Sequence, residues 1–330
     1  GHSRLPRLRS PNDSTSAGFP APHPRSPPTR SSRQLPLRHP QYDLTNRRTF
    51  LKRCDYPTVT LKDLYLGGVI TVYSRQLTIE RYADKATADY FAKATAATVA
   101  VAKLSESGKI IDHLHTQGFI LTELRLTAEG LALKLMGDDA VSRLQAIAAS
   151  VGAQLGVGAL TAAADAADAE ARAAGLFGGL PAVGGAAEAS ALLVVKPHAV
   201  AEGLLGRILD QTMACGFTVS NATMVQLNRP NSQEFLEVYK GVVPEYSDWA
   251  EELVGGKCVA LQVSFTADPS LSVLKLRELC GAHDPEIAGH LHKGSLRASF
   301  GRDKVRNAVH CTDLQEDGPL EVDYFFRIMQ

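Results

Sequence analysis

The spacing of apolar residues divides the chain into segments that predict different elements. Between residues 42 and 92, apolar and polar positions alternate, as at Ile70 and Val72, and this period of two is typical of β-strands. Residues 93–150 begin with a short apolar strand, "TVAVAK", and continue through an amphipathic helix, "GKIIDHLHTQGF", to an alternating strand, "ILTELRL". A small β-rich domain is therefore predicted for 42–92, and an α/β unit after it.

Residues 191–330 carry the clearest pattern of the chain. A fully apolar strand, "ALLVVK", leads into an amphipathic helix, "GLLGRILDQTMACGF", and then into the strand "TVSNATMVQL". Two short helices, a third strand, "CVALQVSF", and a further helix, "SLSVLKLRELCG", follow. This order predicts an α+β sandwich in which the helices pack on one antiparallel sheet.

An internal repeat links the two α/β segments. Residues 98–126 and 191–227 both run from an apolar strand through a lysine, a gap and an amphipathic helix to Gly-Phe and another strand. Lys103 corresponds to Lys196, and Gly118 corresponds to Gly216. The first copy has a shorter gap and no later segment like "RNAVHCTD" (306–313). We therefore expect a tandem fold whose first copy is degenerate.

Composition sets two further segments apart. Residues 1–41 are rich in proline and arginine and contain one acidic residue, Asp13, so we predict a disordered tail. Such a tail could be inert, could lie on an acidic surface such as a microtubule wall, or could be a transit peptide. Residues 151–190 are rich in alanine and glycine and are predicted to form an insert, with one solvent-facing helix, and a linker.

The charge and the cysteine pattern narrow the classes of partner. With 35 basic and 35 acidic residues the formal net charge is zero, so DNA is not expected as a partner. The longest apolar runs are far too short to span a bilayer, so no membrane partner is expected either. The five cysteines form no CxxC pair, which argues against a zinc site and suits a reducing compartment.

The motifs of residues 191–330 resemble those of the nucleoside diphosphate kinase family. "VVKPHAV", "GLLGRIL", "LRASFG", "RNAVHCTD" and "LEVDYFF" occur in the family's order, and "EVYKGVVPEY" resembles its ciliary type 7 branch. The resemblance implies an antiparallel ferredoxin-like βαββαβ fold in two tandem copies, a degenerate one at 93–150 and a second at 191–330. It also implies that 42–92, which contains "NRRTFLKR" and "VYSRQL", is part of a small pleckstrin-like ciliary domain.

The same resemblance gives His310 a catalytic role, although a histidine in an apolar run would by itself be read as structural. In the family, a histidine takes the γ-phosphate of a nucleoside triphosphate and passes it to a diphosphate, with ping-pong kinetics. Lys196 is implied as a second catalytic residue, and Glu321 as the acid that orients His310. The residues implied to bind nucleotide or phosphate are Lys196, Arg277, Arg297, Asn307, Thr312, Tyr246 and Trp249. No metal ligand is implied in the protein, because Mg²⁺ would arrive with ATP or GTP.

Several positions depart from the family's pattern. Cys311 replaces a glycine beside the histidine, and His283 replaces a threonine that contacts phosphate. The aromatic residue that clamps the base falls at Glu245, with Tyr246 beside it, and the supporting tyrosine falls at Leu236. We therefore predict weak nucleotide affinity.

Two classes of function are consistent with these features. The resemblance to the ciliary type 7 branch implies a structural component of the ciliary or flagellar axoneme, a microtubule inner protein that contacts tubulin and other inner proteins of doublet microtubules and retains some phosphoryl transfer. The degenerate first copy favours this role too. The alternative is an active nucleoside diphosphate kinase that uses His310 to supply nucleotides locally. A weaker third hypothesis is a soluble regulator of microtubule nucleation.

Overall fold

The N-terminal part of the chain contains two β-hairpins and one helix. β1 (Leu37–Asp43) pairs antiparallel with β2 (Arg48–Tyr56), β3 (Val69–Val72) pairs with β4 (Arg75–Thr78), and α1 (Lys85–Ala94) follows. A small apolar core joins this part, which is β-rich as the alternating pattern predicts. Its buried residues are Val59, Leu64, Ile70, Val72 and Phe91.

The computed structural model describes only part of this N-terminal region. The residues described in the whole chain are 37–43, 46–56, 59, 63–72, 75–179 and 189–329. Since β1 begins at Leu37, the boundary predicted for the tail at residue 41 is too late. The disorder predicted for residues 1–36 lies outside the described residues. Within the described ranges, no helix has the length and apolar character needed to cross a bilayer.

The first copy forms a complete βαββαβ unit followed by one further helix. Its elements are β5 (Ala96–Ala102), α2 (Ser107–Thr116), β6 (Ile120–Thr127), β7 (Gly130–Gly137), α3 (Ala140–Leu155), β8 (Leu160–Ala162) and α4 (Ala166–Phe177). The strands are antiparallel in the order β6-β7-β5-β8. Because β8 pairs with β5, residues 151–162 belong to this copy. The boundary predicted at residue 150 is therefore too early, since alanine-rich composition hides the short edge strand.

The second copy repeats this topology with additional helices. Its elements are β9 (Ala191–Val195), α5 (Pro197–Ala201), α6 (Leu205–Ala214), β10 (Phe217–Gln226), α7 (Arg229–Phe235), α8 (Tyr246–Val254), β11 (Lys257–Phe265), α9 (Ser272–Cys280), α10 (Pro285–Leu291), α11 (Leu296–Phe300), β12 (Val309–Cys311) and α12 (Asp317–Asp323). Its strand order is β12-β9-β11-β10, again antiparallel. The predicted tandem α+β fold of ferredoxin-like topology is confirmed.

The two copies pack into one body along a shared edge. β10 pairs with β6, with Thr223 opposite Arg125, so that the two sheets form a single eight-stranded sheet. Helices α2 and α6 cross where Gly108 faces Gly206, and a Cβ on Gly206 would lie 2.3 Å from the Gly108 carbonyl oxygen. The crossing therefore requires bare backbone on both helices.

Replacing Gly206 by alanine is expected to destabilise this junction. The added Cβ would meet backbone atoms of α2, so the helices must move apart at a cost of about 1–3 kcal/mol. Gly152→Ala is the matched control, because Gly152 lies in α3 with open space around its Cβ position, and there alanine should add about 0.5–1 kcal/mol of stability. Urea unfolding measures both effects. An unchanged stability of Gly206→Ala would contradict the close crossing.

Candidate functional site

His310 lies on a short buried strand beside a cleft of about 310 Å³. β12 pairs with β9, which places His310 opposite Val194, and the residue is 8% exposed. The Nε2 atom lies 3.3 Å from Glu321 Oε1, and the ring packs edge-on against Phe235. Because the carboxylate accepts the proton of Nε2, the lone pair of the ring is on Nδ1. Nδ1 is thus the nitrogen left to react.

Glu321 is itself held in place from behind. The Thr312 hydroxyl donates to Glu321 Oε2 at 2.7 Å and accepts the Leu192 N–H at 2.9 Å, and Thr312 is fully buried. The pattern predicted Thr312 as a phosphate-binding residue. The structure places it outside the residues that line the cleft, where its hydroxyl links β9 to Glu321. Its role is to orient the carboxylate that orients His310.

Two cationic side chains line the same cleft. Lys196 follows β9, is 5% exposed, and donates from Nζ to the Val305 carbonyl oxygen at 3.0 Å. Burial, together with the nearby Arg297 charge, lowers the pKa of Lys196 to about 7. Arg297 Nη1 donates to the Gly281 carbonyl oxygen at 2.8 Å, and Arg297 Nε donates to that of Val309 at 3.3 Å. Both cations are therefore fixed before any ligand arrives.

Asn307 and His283 bring unpartnered polar atoms to the cleft. Asn307 Nδ2 donates to the His283 carbonyl oxygen at 3.0 Å and lies 3.1 Å from His283 Nδ1. Burial, with Arg297 and Lys196 nearby, lowers the pKa of His283 to about 4, so this ring is neutral at neutral pH. Among the described side chains, Asn307 Oδ1 and His283 Nε2 are buried without a hydrogen-bond partner. Such atoms fit a polar ligand.

The predicted residues do not all come together at the cleft. Trp249 lines it, with its ring centre 4.5 Å from that of His283. Arg277 does not line it and instead places Nε 3.9 Å from Asp313 Oδ1 at a half-exposed position. Tyr246 does not line the cleft either. It begins α8, packs against the second apolar core and donates its hydroxyl to the Gln233 carbonyl oxygen at 3.4 Å. The described cleft therefore contains no aromatic clamp from Tyr246.

Tyr239 is the cleft residue that the motifs missed. Its hydroxyl donates to Asp313 Oδ2 at 2.5 Å, and its ring centre lies 5.4 Å from that of Trp249 and 6.3 Å from that of His310. The family position of the supporting tyrosine fell on Leu236, which also lines the cleft. A tyrosine three residues later, one helical turn away, was the available signal.

Cys311, which replaces the family's glycine, lies beside a cationic side chain. Its Sγ lies 3.7 Å from Arg297 Nη2, and it is almost fully buried. A hydrogen bond from Cys280, together with the Arg297 charge, lowers the pKa of the Cys311 thiol. The site therefore holds, directly after its histidine, a thiol whose pKa is lowered by its neighbours.

Comparison with known proteins identifies this arrangement. Residues 189–330 match the family model described as "Nucleoside diphosphate kinase". "Nucleoside diphosphate kinase homolog 7" of Rattus norvegicus is 36% identical over 343 residues, covering 87% of this chain and 85% of the relative, and the Mus musculus protein of that name matches equally. The chain belongs to the nucleoside diphosphate kinase family. A "Nucleoside diphosphate kinase" of Wolinella succinogenes is 35% identical over 135 residues, 41% of this chain and 93% of its own length.

The internal repeat of this family member shows what the first copy lacks. Lys196 N donates to the Ala308 carbonyl oxygen, and Lys103 N donates to that of Ala159, each at 2.9 Å. In register, His310 faces Val194, two residues before its lysine, and Thr161 faces Val101, two residues before Lys103. Thr161 therefore occupies the position of His310. A threonine cannot form a phosphohistidine, so the first copy lacks an equivalent of the His310 side chain.

Burial of Lys196 should make the stability of the second copy rise with pH. The pKa is about 7 in the folded protein and near the ordinary 10.5 in the unfolded chain. Between these values only the unfolded chain binds the proton, so the free energy of unfolding increases as the pH rises. From pH 7 to pH 9 the gain through this group is roughly 2 kcal/mol.

Lys196→Met is the matched variant, because methionine keeps an unbranched side chain but cannot titrate. Trp249 is the only tryptophan of the chain and lies with its ring centre 5.5 Å from Lys196 Nζ, so its fluorescence in urea reports unfolding at this site. The pH-dependent gain should be absent from the variant. Equal pH dependence in the two proteins would refute a buried, depressed Lys196.

Proposed function

We propose that the second copy is a nucleoside diphosphate kinase that transfers a phosphoryl group through His310. The observation that supports this best is the chain of contacts from Thr312 to Glu321 to His310 Nε2, which leaves Nδ1 as the nucleophile at the cleft. Arg297, and Lys196 when it is protonated, present positive charge to a phosphate in the same cleft. Phosphoryl transfer depends mainly on such positioning and charge.

The proposed reaction has two steps. The Nδ1 lone pair attacks the γ-phosphorus of a nucleoside triphosphate, the N–P bond forms, and the bond to the β,γ-bridging oxygen breaks, so the diphosphate leaves with that electron pair. A terminal oxygen of a second diphosphate then attacks the phosphorus, and the bond to Nδ1 breaks. Glu321 stabilises the positive charge that develops on the ring, because it holds the Nε2 proton. Lys196 and Arg297 offset the phosphate charge in both steps.

The donor set of the cleft suits a nucleotide that brings its own Mg²⁺. Asn307 Oδ1 is a buried, unpartnered acceptor that a ribose hydroxyl would satisfy. Within the described residues, no group of three or more His, Cys, Asp or Glu side chains could hold a metal ion. Bound with the nucleotide, Mg²⁺ would supply neutralisation of the phosphate charge. Since Tyr246 does not line the cleft, weak nucleotide affinity stays our prediction.

Labelling with γ-labelled ATP and Mg²⁺ tests the proposal. We expect acid-labile phosphate on the wild-type chain and none on His310→Ala, because no other described histidine has the Glu321 support. Thr161→Ala, the equivalent position of the first copy, is the matched control and should label normally. After removal of ATP, GDP should take the label and become GTP. Label in His310→Ala equal to that in the wild type would refute the proposal.

We also propose a second role, as a structural component of the ciliary or flagellar axoneme that contacts tubulin and other inner proteins of doublet microtubules. It is favoured by the first copy, which keeps a complete fold and a fused sheet although Thr161 replaces the histidine. A copy that keeps its fold but lacks the histidine suits a role as a binding domain. The basic, proline-rich composition of residues 1–41 suits contact with an acidic surface.

Salt extraction of isolated axonemes tests this second role. A protein seated among inner proteins of the doublet should stay with the axoneme in mild salt and be released only when the microtubules are disrupted. His310→Ala should be retained like the wild type, since binding would not require the kinase reaction. Complete release by mild salt would contradict the structural role and leave the kinase role unaffected.

A further inference from the structure

The backbone just before His310 has an unusual conformation. Ala308 has a φ of 70°, and the N–H of Val309 donates to the carbonyl oxygen of Asn307 at 2.9 Å. These features describe a three-residue γ-turn centred on Ala308, of the rare kind with positive φ. For a residue other than glycine, such a conformation costs about 1–3 kcal/mol and persists only where its surroundings hold it.

Two groups that follow β9 hold this turn. The Ala308 carbonyl oxygen accepts the Lys196 N–H at 2.9 Å, and the Ala308 N–H donates to His198 Nε2 at 3.2 Å. The second contact is a side chain reaching the backbone across 110 residues of sequence. His198 thus binds the backbone N–H of Ala308. Ala308 lies between Asn307 and β12, the strand that contains His310.

His198 is in turn oriented by a carboxylate. Its Nδ1 lies 2.6 Å from Glu252 Oε1, the same oxygen accepts the His198 backbone N–H at 3.1 Å, and both side chains are nearly buried. Because Nε2 accepts the Ala308 N–H, the ring proton is on Nδ1 and is donated to Glu252. Glu252 therefore sets both the ring orientation and the tautomer that the Ala308 contact needs.

The first copy provides an internal comparison. Its equivalent of Ala308 is Ala159, since both carbonyl oxygens accept the N–H of the corresponding lysine. The φ of Ala159 is not positive, and Ser105 stands where His198 stands in the second copy, two residues after the lysine. The strained turn and the histidine that holds it are thus both found in the copy with His310, and both are missing from the copy with Thr161.

We propose that His198, oriented by Glu252, is a positioning residue for phosphoryl transfer that fixes the γ-turn at Ala308 and thereby the mutual placement of Asn307 and His310. The inference rests on the proposed kinase function of His310. His198 does not line the cleft and acts through the backbone, so its loss should lower turnover without removing a ligand contact. It explains why a non-glycine residue keeps a positive φ beside the nucleophile.

His198→Leu and His198→Gln separate this role from simple packing. Leucine fills the space but offers no acceptor, whereas the glutamine amide oxygen can reach the place of Nε2 and accept the Ala308 N–H. We expect kcat to fall by roughly 10²-fold in His198→Leu, since displacements of about 1 Å at a reactive centre have effects of that size. The KM for nucleoside diphosphate should change by less than about threefold, and His198→Gln should recover most of the lost kcat.

Two controls make the outcome decisive. His290→Leu, an exposed histidine on α10, should have wild-type kcat, and Trp249 fluorescence in urea shows whether each variant is folded. Wild-type kcat in folded His198→Leu would overturn the inference while leaving the kinase proposal standing. A loss that His198→Gln shares fully would also overturn it, because the acceptor would then be irrelevant. No His310 label in the wild type would refute the kinase proposal itself, and the inference with it.

Discussion

The pairing of β9 with β12 is the constraint on which the reactive site depends. All five residues of β9 are fully buried between β12 and β11, and they place Val195 opposite Val309 and Val194 opposite His310. A slip of one residue would turn His310 to the other face of the sheet and carry Lys196 away from the Ala308 carbonyl. The apolar run of β9 thus fixes the register of this pairing, and the register fixes the positions of His310 and Lys196.

The tandem copies show that the same backbone arrangement is kept with a histidine in one copy and a threonine in the other. Both copies have the same strand order and the same lysine-to-alanine backbone bond between their first and last strands. Lys196 is buried with a depressed pKa, whereas Lys103 is exposed. The strained turn has likewise no equivalent at Ala159. The γ-turn and the buried lysine, which both cost stability, are thus found in the copy that contains His310 and not at the equivalent positions of the other copy.

The cleft combines the fixed positive charge of Arg297 with two groups, His283 and Cys311, whose pKa values that charge lowers. Arg297 is held by the backbone carbonyls of Gly281 and Val309, so it cannot turn away. Its charge helps to lower the pKa of His283 and also that of Cys311. A preorganised positive field of this kind acts on a phosphate without rearrangement at the moment of reaction. Cys311 and His283, which depart from the family pattern, therefore belong to the electrostatics of the site.

The sequence by itself determined the fold class, the tandem repeat and the residue His310, because these follow from local patterns. Gly118 and Gly216 follow corresponding helices and have φ values of 84° and 87°. The repeat in the sequence is therefore also a repeat of backbone conformation. Composition could not reveal β8, since a three-residue edge strand has no periodicity of its own and is defined only by its pairing with β5.

Only the tertiary structure decided which side chains meet. It brought Tyr239 to Asp313, turned Thr312 toward Glu321, and left Tyr246 and Arg277 out of the cleft lining. It also joined His198 to Ala308, and no local signal predicts a hydrogen bond between residues so distant in sequence. Sequence motifs specify the type of chemistry, but orientation, burial and the resulting pKa values depend on contacts between segments, which exist only in the folded chain.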